Sequence, residues 1–318
     1  MVPILSRDGF YWAVQAAQSN KLINNKLEVM ILDNLKQKIK DFAVESGVDL
    51  IGFASKDRFD DLEPHKNPFA IFPEGNTVIL LGRRITRGTL RGVEEGSNFG
   101  DYSSFGYSWL DDEFVAQSCY DITIFIENFG WEAVPIFPNP VETYGMGVSV
   151  AEGREAPNVT PDFQYAAVAC GLGEIGLNDE ILTEKYGPRQ RFQMIITDAI
   201  IEADPILTES ICDLCGKCAD ICPLQAIDKE NTKTIAICGK EMEIAEIDYD
   251  LCRKCQNGAI PNRLFGAAKP DRLAALCMRT CVNHLEENDL VSNVFENTFR
   301  KRDPWAIDIY GKNPGTDQ

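Results

Sequence analysis

Four cysteines between residues 212 and 223 constrain this chain more than any other feature. They occur in the run Cys212-Asp-Leu-Cys215-Gly-Lys-Cys218-Ala-Asp-Ile-Cys222-Pro223, with the C-x2-C-x2-C-x3-C-P spacing of ferredoxin-type motifs. Three thiolates this close can hold three corners of one cubane, and the fourth normally turns toward a second cluster. The alternatives are zinc and disulfides, but zinc ligands usually come as two separated pairs. The motif therefore predicts a [4Fe–4S] cluster.

The remaining cysteines also favour metal over disulfide chemistry. Nine of the eleven lie between Cys212 and Cys281, and we expect a reducing compartment, where disulfides are rare. The first residues show no recognisable export signal, so the sequence predicts a cytoplasmic protein. Cys119 lies on the apolar stripe of a helix predicted over residues 111–130. We interpret Cys119 and Cys170 as packing residues.

Composition limits the partners. The chain has 318 residues, 31 basic and 49 acidic, and a net charge of −18. Nucleic-acid binding depends on clustered Lys and Arg, so this balance disfavours a tRNA partner. No apolar run approaches the length of a membrane span, and no membrane association is expected.

Apolar spacing predicts a mixture of helices and strands. Strands are predicted over residues 48–54, 77–81, 131–137 and 193–197, and helices near residues 32–47 and 111–130. Residues 88–109, rich in glycine and aromatic residues, are interpreted as a long loop, either on the surface or in contact with a ligand.

Three glycines form the pattern Gly171-x-Gly173-x-x-Gly176, formally a dinucleotide fingerprint. That fingerprint needs a preceding strand, whereas the alanine-rich residues 163–169 have helical character. The sequence therefore disfavours a Rossmann site, and what these glycines supply is close backbone approach.

Several segments together carry a resemblance to a known superfamily. They are Gly-Leu-Gly-Glu-Ile-Gly at 171–176, Tyr-Gly-Pro-Arg at 186–189, Thr197-Asp198, Asp204-Pro205 and the cysteine motif. The chain resembles the corrinoid iron–sulfur enzymes that include reductive dehalogenases and epoxyqueuosine reductases, most clearly over residues 165–227. The resemblance implies an α+β, nitroreductase-like core that binds base-off cobalamin over residues 1–205. A ferredoxin-like module with two [4Fe–4S] clusters would follow over residues 206–290, and a tail over residues 291–318.

The resemblance also implies particular site residues. Cobalamin contacts are expected from Gly145, Gly147, Gly171, Leu172, Gly173, Glu174, Ile175, Gly176, Tyr186 and Arg189. Reductive cleavage needs a proton donor. Tyr144, with Arg189 as its basic partner, is the preferred candidate, while Tyr102, Tyr107, Tyr165 and Arg191 remain alternatives. The acid that epoxyqueuosine reductases use about 14 residues before the glycine run is missing here, which weakens that assignment.

The exchanged fourth ligands of two-cluster ferredoxins suggest how the cysteines divide. Cluster 1 is expected to take Cys212, Cys215, Cys218 and Cys281, and cluster 2 Cys222, Cys252, Cys255 and Cys277. Cys238 is the spare and could replace Cys252, because spacing alone cannot order distant ligands. His65 and His284 are expected to be ordinary surface or packing residues.

Three functions remain open at this stage. The first is a corrinoid-dependent reductase acting on a small organic molecule, fed by a donor such as ferredoxin or flavodoxin. The second is an electron-transfer protein that reduces a separate corrinoid protein. The third, disfavoured by charge, is epoxyqueuosine reduction in tRNA.

Overall fold

A computed structural model of the chain describes residues 35–143, 148–157 and 159–310. The strands are β1 (Leu50–Ser55), β2 (Thr77–Arg84), β3 (Ala133–Ile136), β4 (Glu174–Ile175), β5 (Ile181–Leu182), β6 (Gln190–Thr197), β7 (Ile227–Ile237) and β8 (Lys240–Ile247). The α-helices are α1 (residues 35–45), α2 (Arg91–Glu94), α3 (Ala116–Glu127), α4 (Phe163–Ala169), α5 (Lys217–Asp220), α6 (Tyr249–Cys252) and α7 (Leu276–Glu287). The mixed helix and strand content predicted from the sequence is confirmed.

The centre of the fold is a four-stranded antiparallel sheet in the order β1-β2-β6-β3. Successive side chains of a strand point to opposite faces. Ile79 and Leu81 of β2 therefore pack with α1 and α3, while Val78 and Leu80 pack with α4. Both faces are covered, which explains why β2 reads as a continuous apolar run.

The hairpin of β7 and β8 contributes to the α4 side of the sheet. Ile237, Met242 and Ile244 are buried in the same apolar cluster as α4. Residues of the cysteine-rich segment thus share a core with the sheet, which fixes the cysteine motif relative to the glycine run.

Cys119 and Cys170 are packing residues, as predicted. Cys119 is 1% exposed on α3 and Cys170 is fully buried after α4. Burial raises the pKa of the Cys119 thiol to about 12, so it stays protonated and unreactive. The helix before the glycine run is also confirmed, which leaves the dinucleotide pattern without its strand.

The predicted loop over residues 88–109 is wrong. This stretch is largely helical. It includes the 3-10 turn Arg87–Leu90, α2 and π-helical turns over Tyr102–Ser108. Further π-helical turns over Leu110–Val115 lead into α3. A Cβ on Gly106 would lie 2.4 Å from the Tyr102 ring, so this glycine permits close packing and does not break the helix. Glycines that serve packing concealed the helical periodicity.

The segment after α7 returns to the N-terminal half of the chain. Glu94, fully buried on α2, pairs with Arg279 of α7 and with Arg300 at 3.1 Å. Phe299 and Ala306 are each 1% exposed. In the part of the chain that the structure describes, no helix combines the length and apolar character needed to cross a bilayer.

Candidate functional site

The first group of thiols combines the cysteine motif with one distant residue. Cys212, Cys215, Cys218 and Cys281 line a common cavity. Burial raises the pKa of the Cys218 thiol to about 12, and the neighbouring Cys212 and Cys215 thiols add to that rise. Burial followed by the three motif thiols likewise raises the pKa of Cys281. Thiolates crowded in this way repel one another unless a cationic centre binds them.

Two short elements bring these thiols together. Gly216 adopts a left-handed φ of +69° immediately before α5, a conformation that favours glycine, and α5 then carries Cys218. On α7, Cys277 and Cys281 are four residues apart and so lie on one face. One helix therefore supplies a thiol to each of two groups.

The second group consists of Cys222, Cys252, Cys255 and Cys277. Burial raises the pKa of the Cys277 thiol, and the thiols of Cys222, Cys255 and Cys252 raise it further. Burial likewise raises the pKa of Cys252 to about 11, again with Cys222 and Cys255 contributing. The structure thus brings together the same two sets of four that the exchanged-ligand hypothesis predicts; their ligation of clusters stays a prediction.

The spacing of the thiols separates a cluster from a single zinc ion. In the described ranges, one group of three or more ligand atoms lies within 4.8 Å of one another, namely Asp213, Cys215 and His284. Neither cysteine set meets that limit. Four sulfurs around one tetrahedral zinc, with Zn–S bonds of about 2.3 Å, would lie about 3.8 Å apart. Both sets are therefore too wide for one zinc ion.

The two groups differ in exposure. Cys215 is exposed, and its neighbour Leu214 is 49% exposed. In the second group, Cys252 and Cys277 are buried. An electron donor in solution could therefore approach the first group directly.

A cleft lies between the sheet and the segment that precedes α7, with a volume of about 260 Å³. It is formed by the start of β6, the π-helical turns, the start of α4 and residues 262–273. We call it the sheet cleft. Its polar lining comprises Tyr107, Asp111, Gln164, Asp179, Glu180, Gln190, Arg191, Asn262, Arg263, Lys269, Asp271 and Arg272.

Arg191 organises one wall of the sheet cleft. Its guanidinium pairs with Asp271 and lies 3.0 Å from the Tyr102 hydroxyl, which also donates to Asp271. The Tyr107 ring centroid is 4.6 Å from the guanidinium carbon, within cation–π range. Burial raises the pKa of Asp111 to about 6, although Arg191 opposes the rise. This wall thus carries a carboxyl group that can exchange a proton near neutral pH.

Arg272 connects the sheet cleft to the second group of thiols. It lines the cleft, and its guanidinium lowers the pKa of the Cys277 thiol against the larger, opposite effect of burial. One residue therefore borders both the second thiol group and the cleft.

The structure gives the predicted cobalamin contacts a different environment. Tyr144, Gly145 and Gly147 lie outside the described residues. A Cβ on Gly171 would lie 2.0 Å from the Pro205 carbonyl oxygen, and one on Gly173 would lie 2.1 Å from that of Leu182. These two glycines therefore permit approach of the chain's own backbone. Leu172 and Ile175 pack in the core below the sheet, and a Cβ on Gly176 would meet the Leu182 side chain at 2.8 Å.

The remaining residues predicted to contact cobalamin are buried within the protein. Glu174 is 3% exposed and accepts hydrogen bonds from the backbone of Ile211 and Cys212. Tyr186 is 1% exposed. Arg189 is 2% exposed, donates to the Ile85 carbonyl at 2.8 Å and lies outside the cleft lining. The roles assigned to them from the resemblance stay predictions.

Three further residues discussed in the sequence analysis lie outside the sheet cleft. The Cys238 thiol, at the tip of the β7–β8 hairpin, is 3.5 Å from the Arg58 carbonyl oxygen. His65 lies 3.6 Å from Glu63 at the surface. His284 is 7% exposed, lines the cavity of the first thiol group and lies 2.7 Å from Asp213.

Sequence reasoning missed Asp111, Asp271 and Arg272. Asp111 and Asp271 are brought together from segments 160 residues apart, and neither belongs to a recognisable motif. The nearest signal was Arg191, considered as a partner for a tyrosine, which the structure places between them.

The sheet cleft does not fit a whole cobalamin, although a separate surface cleft lined by Arg83, Phe105 and Lys185 has a volume of about 970 Å³. Sites that enclose drug-sized ligands have volumes of roughly 300–1,000 Å³, and cobalamin is larger than such ligands. The sheet cleft, at about 260 Å³, falls below that range. The glycine run that was expected to contact the corrin is covered by Pro205 and Leu182.

Sequence comparison finds relatives for part of the chain. A tetrachloroethene reductive dehalogenase of Desulfitobacterium hafniense is 32% identical over 138 residues, which is 42% of this chain and 21% of that protein. The enzyme of the same name from Dehalobacter restrictus gives the same identity and coverage. Over this stretch the chain is related to the reductive dehalogenases. The superfamily resemblance is thereby confirmed, although the chain spans only about a fifth of these relatives' length.

Solved structures give weaker likenesses. A catabolic reductive dehalogenase aligns with a TM-score of 0.48 and 18% identity over 76% of this chain and 31% of that one. An epoxyqueuosine reductase from Bacillus subtilis aligns with a TM-score of 0.46 and 16% identity, covering 85% and 69%. At these scores, likeness to the two reductases distinguishes neither cofactor nor substrate. No family model matches the chain.

Proposed function

We propose that this dehalogenase-related chain is an iron–sulfur reductase. Two [4Fe–4S] clusters would pass single electrons to an acceptor bound in the sheet cleft, a small organic molecule. The observation that carries the proposal is the assembly of eight thiols into two groups of four, each too wide for one zinc ion. When bound, such clusters exchange one electron at a time, at potentials that the surrounding protein sets.

The direction of electron flow follows from exposure and position. Cluster 1 would be the entry site because Cys215 is exposed. Cluster 2 would be the exit site because its thiols are close to Arg272, which borders the cleft. The two clusters share α7 through Cys277 and Cys281, one helical turn apart. A ferredoxin or flavodoxin is the class of donor that we propose.

The acid–base groups of the cleft suit a reductive reaction. Reductive cleavage consumes a proton together with electrons. Asp111, with its raised pKa, and Tyr107, whose hydroxyl lies 3.3 Å from the Arg263 backbone nitrogen, both line the cleft. We propose that Asp111 holds the proton at its carboxyl group, while Arg191 and Arg263 orient an anionic or polar substrate.

A second candidate is electron transfer to a separate corrinoid protein. The sheet cleft, at about 260 Å³, is too small for a whole corrin, which suits a chain that passes electrons to a corrin bound by another protein. Binding of base-off cobalamin by this chain remains the alternative. Titration of the protein with cobalamin, followed by absorption, separates the two: a spectral change that saturates at one equivalent would establish a corrin site here.

The decisive experiment is anaerobic reconstitution with iron and sulfide. We expect about eight irons per chain and two distinct signals in the electron paramagnetic resonance (EPR) spectrum of the reduced protein. Cys281→Ser should remove one signal and Cys277→Ser the other, while the matched control Cys238→Ser should keep both. Zinc in place of iron, or one signal lost in all three variants, would overturn the proposal.

A further inference from the structure

Arg272 is a buried arginine whose hydrogen bonds are incomplete. It is 2% exposed. Its Nη2 donates to the Asn178 carbonyl at 2.8 Å, the Asp179 carbonyl at 3.3 Å and the Glu180 carboxylate at 3.0 Å. Its Nε and Nη1, although buried, have no hydrogen-bond partner among the described residues. Buried polar groups without partners are rare and call for an explanation such as a bound ion.

The charged groups around Arg272 include two thiols of the second group. Burial alone would lower the pKa of this guanidinium, but Glu180, Tyr249 and then the thiols of Cys277 and Cys252 reverse the shift. Both thiols belong to the second group. An iron–sulfur cluster held there would present sulfur acceptors and negative charge to Arg272.

Another buried arginine, Arg279 on α7, gives an internal comparison. Arg279 is 1% exposed and is also close to Cys277. Its Nε donates to the Ala274 carbonyl, its Nη1 to Glu94 and its Nη2 to the Asn257 carbonyl. Every nitrogen of this guanidinium is used within the protein. Arg272 differs because two of its three nitrogens remain without acceptors.

We propose that Arg272 is a positioning residue that donates from Nε and Nη1 to the sulfurs of cluster 2 and raises its reduction potential. The inference rests on the proposed function and deepens it. In the step concerned, cluster 2 would gain one electron from reduced cluster 1, and no bond would form or break. Hydrogen bonds and a positive charge stabilise the more negative, reduced form. Cluster 2 thereby becomes the favoured electron acceptor beside the sheet cleft.

The test is an anaerobic potentiometric titration of the full chain, monitored by EPR. The variants are Arg272→Met and Arg272→Lys, and the signals are assigned from Cys277→Ser and Cys281→Ser. We expect Arg272→Met to make reduction of cluster 2 at least about tenfold less favourable, which is a fall of ~59 mV for one electron. Arg272→Lys keeps the charge but loses the fork of donors, so its shift should be smaller. Cluster 1 should be unchanged.

Arg279→Lys is the matched control and should leave both potentials unchanged. If Arg272→Met does not retain iron, Arg272→Lys decides. Unchanged potentials in an iron-replete Arg272 variant, or a shift confined to cluster 1, would refute the role of Arg272 and leave the two-cluster reductase intact. Failure of the reductase proposal would appear separately, as missing iron in the wild-type protein.

Discussion

Glu174 offers the sharpest test of how the core supports the cysteine motif. Its Oε1 accepts from the backbone nitrogens of Ile211 at 2.7 Å and Cys212 at 2.6 Å. Its Oε2 lies 3.0 Å from Lys240 Nζ, and the two side chains are 3% and 7% exposed. The carboxylate therefore fixes the backbone at the first cysteine of the motif. Glu174→Gln preserves shape and acceptor but removes the charge.

The expected loss of unfolding free energy in Glu174→Gln follows from three contacts. Hydrogen bonds to a charged acceptor contribute about 1.5–3 kcal/mol each, against about 0.5–1.5 kcal/mol for a neutral one. Lys240 would keep only the Glu209 carbonyl at 2.9 Å, and breaking a buried pair costs about 3–5 kcal/mol. Because these terms overlap, we expect a loss of about 3–5 kcal/mol. That is a large share of the roughly 5–15 kcal/mol by which domains are stable.

The measurement is anaerobic urea unfolding, followed by the visible absorbance of the clusters and by far-ultraviolet circular dichroism. With a slope of about 3 kcal/mol/M, the midpoint should fall by about 1–1.7 M. Adding Lys240→Met to Glu174→Gln should restore at least about 1 kcal/mol, because it removes the unpaired charge. The exposed residue Glu241 on the same hairpin supplies the control Glu241→Gln, with a change within about 0.5 kcal/mol. A wild-type midpoint with full iron content in Glu174→Gln would refute the reasoning.

Three further predictions follow from other buried groups. The pKa of Asp111 rises from 3.8 to about 6 on folding, so the unfolded state loses its proton first and stability falls as pH rises through this range. Asp111→Asn removes that dependence. Its free energy of unfolding, relative to that of the wild type, should therefore rise by about 1 kcal/mol between pH 5 and pH 7 in urea unfolding. Glu94→Gln should cost about 3–5 kcal/mol by leaving Arg279 without its buried partner, and limited proteolysis should then cut the segment around Phe299 faster. Tyr102→Phe should cost about 1–3 kcal/mol in thermal or urea unfolding, because buried Asp271 loses a donor; an unchanged midpoint would contradict the hydrogen bond.

Local sequence determined the elements and the chemistry of the thiols. Short apolar runs predicted β1, β2, β3 and β6, and an apolar stripe at helical spacing predicted α3, each to within a few residues. The spacing of the motif from Cys212 to Cys222 likewise predicted, by itself, that its cysteines are cluster ligands. The helical turns within residues 88–109 were not predicted, because Gly106 is needed for close packing against Tyr102. Local sequence rules treat such a glycine as a helix breaker.

Only the tertiary structure decided which distant groups meet. The ferredoxin pattern already predicted Cys281 with the motif thiols and Cys277 with the second set, but only the fold showed that Cys238 lies apart from both sets, at the tip of the β7–β8 hairpin. The fold also gave Glu174 a role in holding the motif backbone, and it set Arg191 between Asp111 and Asp271. Contacts between residues 80 or more positions apart depend on how the elements pack. Local residue spacing does not predict that packing. The sequence thus specifies the ligands, while the fold specifies their neighbours, and the neighbours set the potential and the protonation on which a reductase depends.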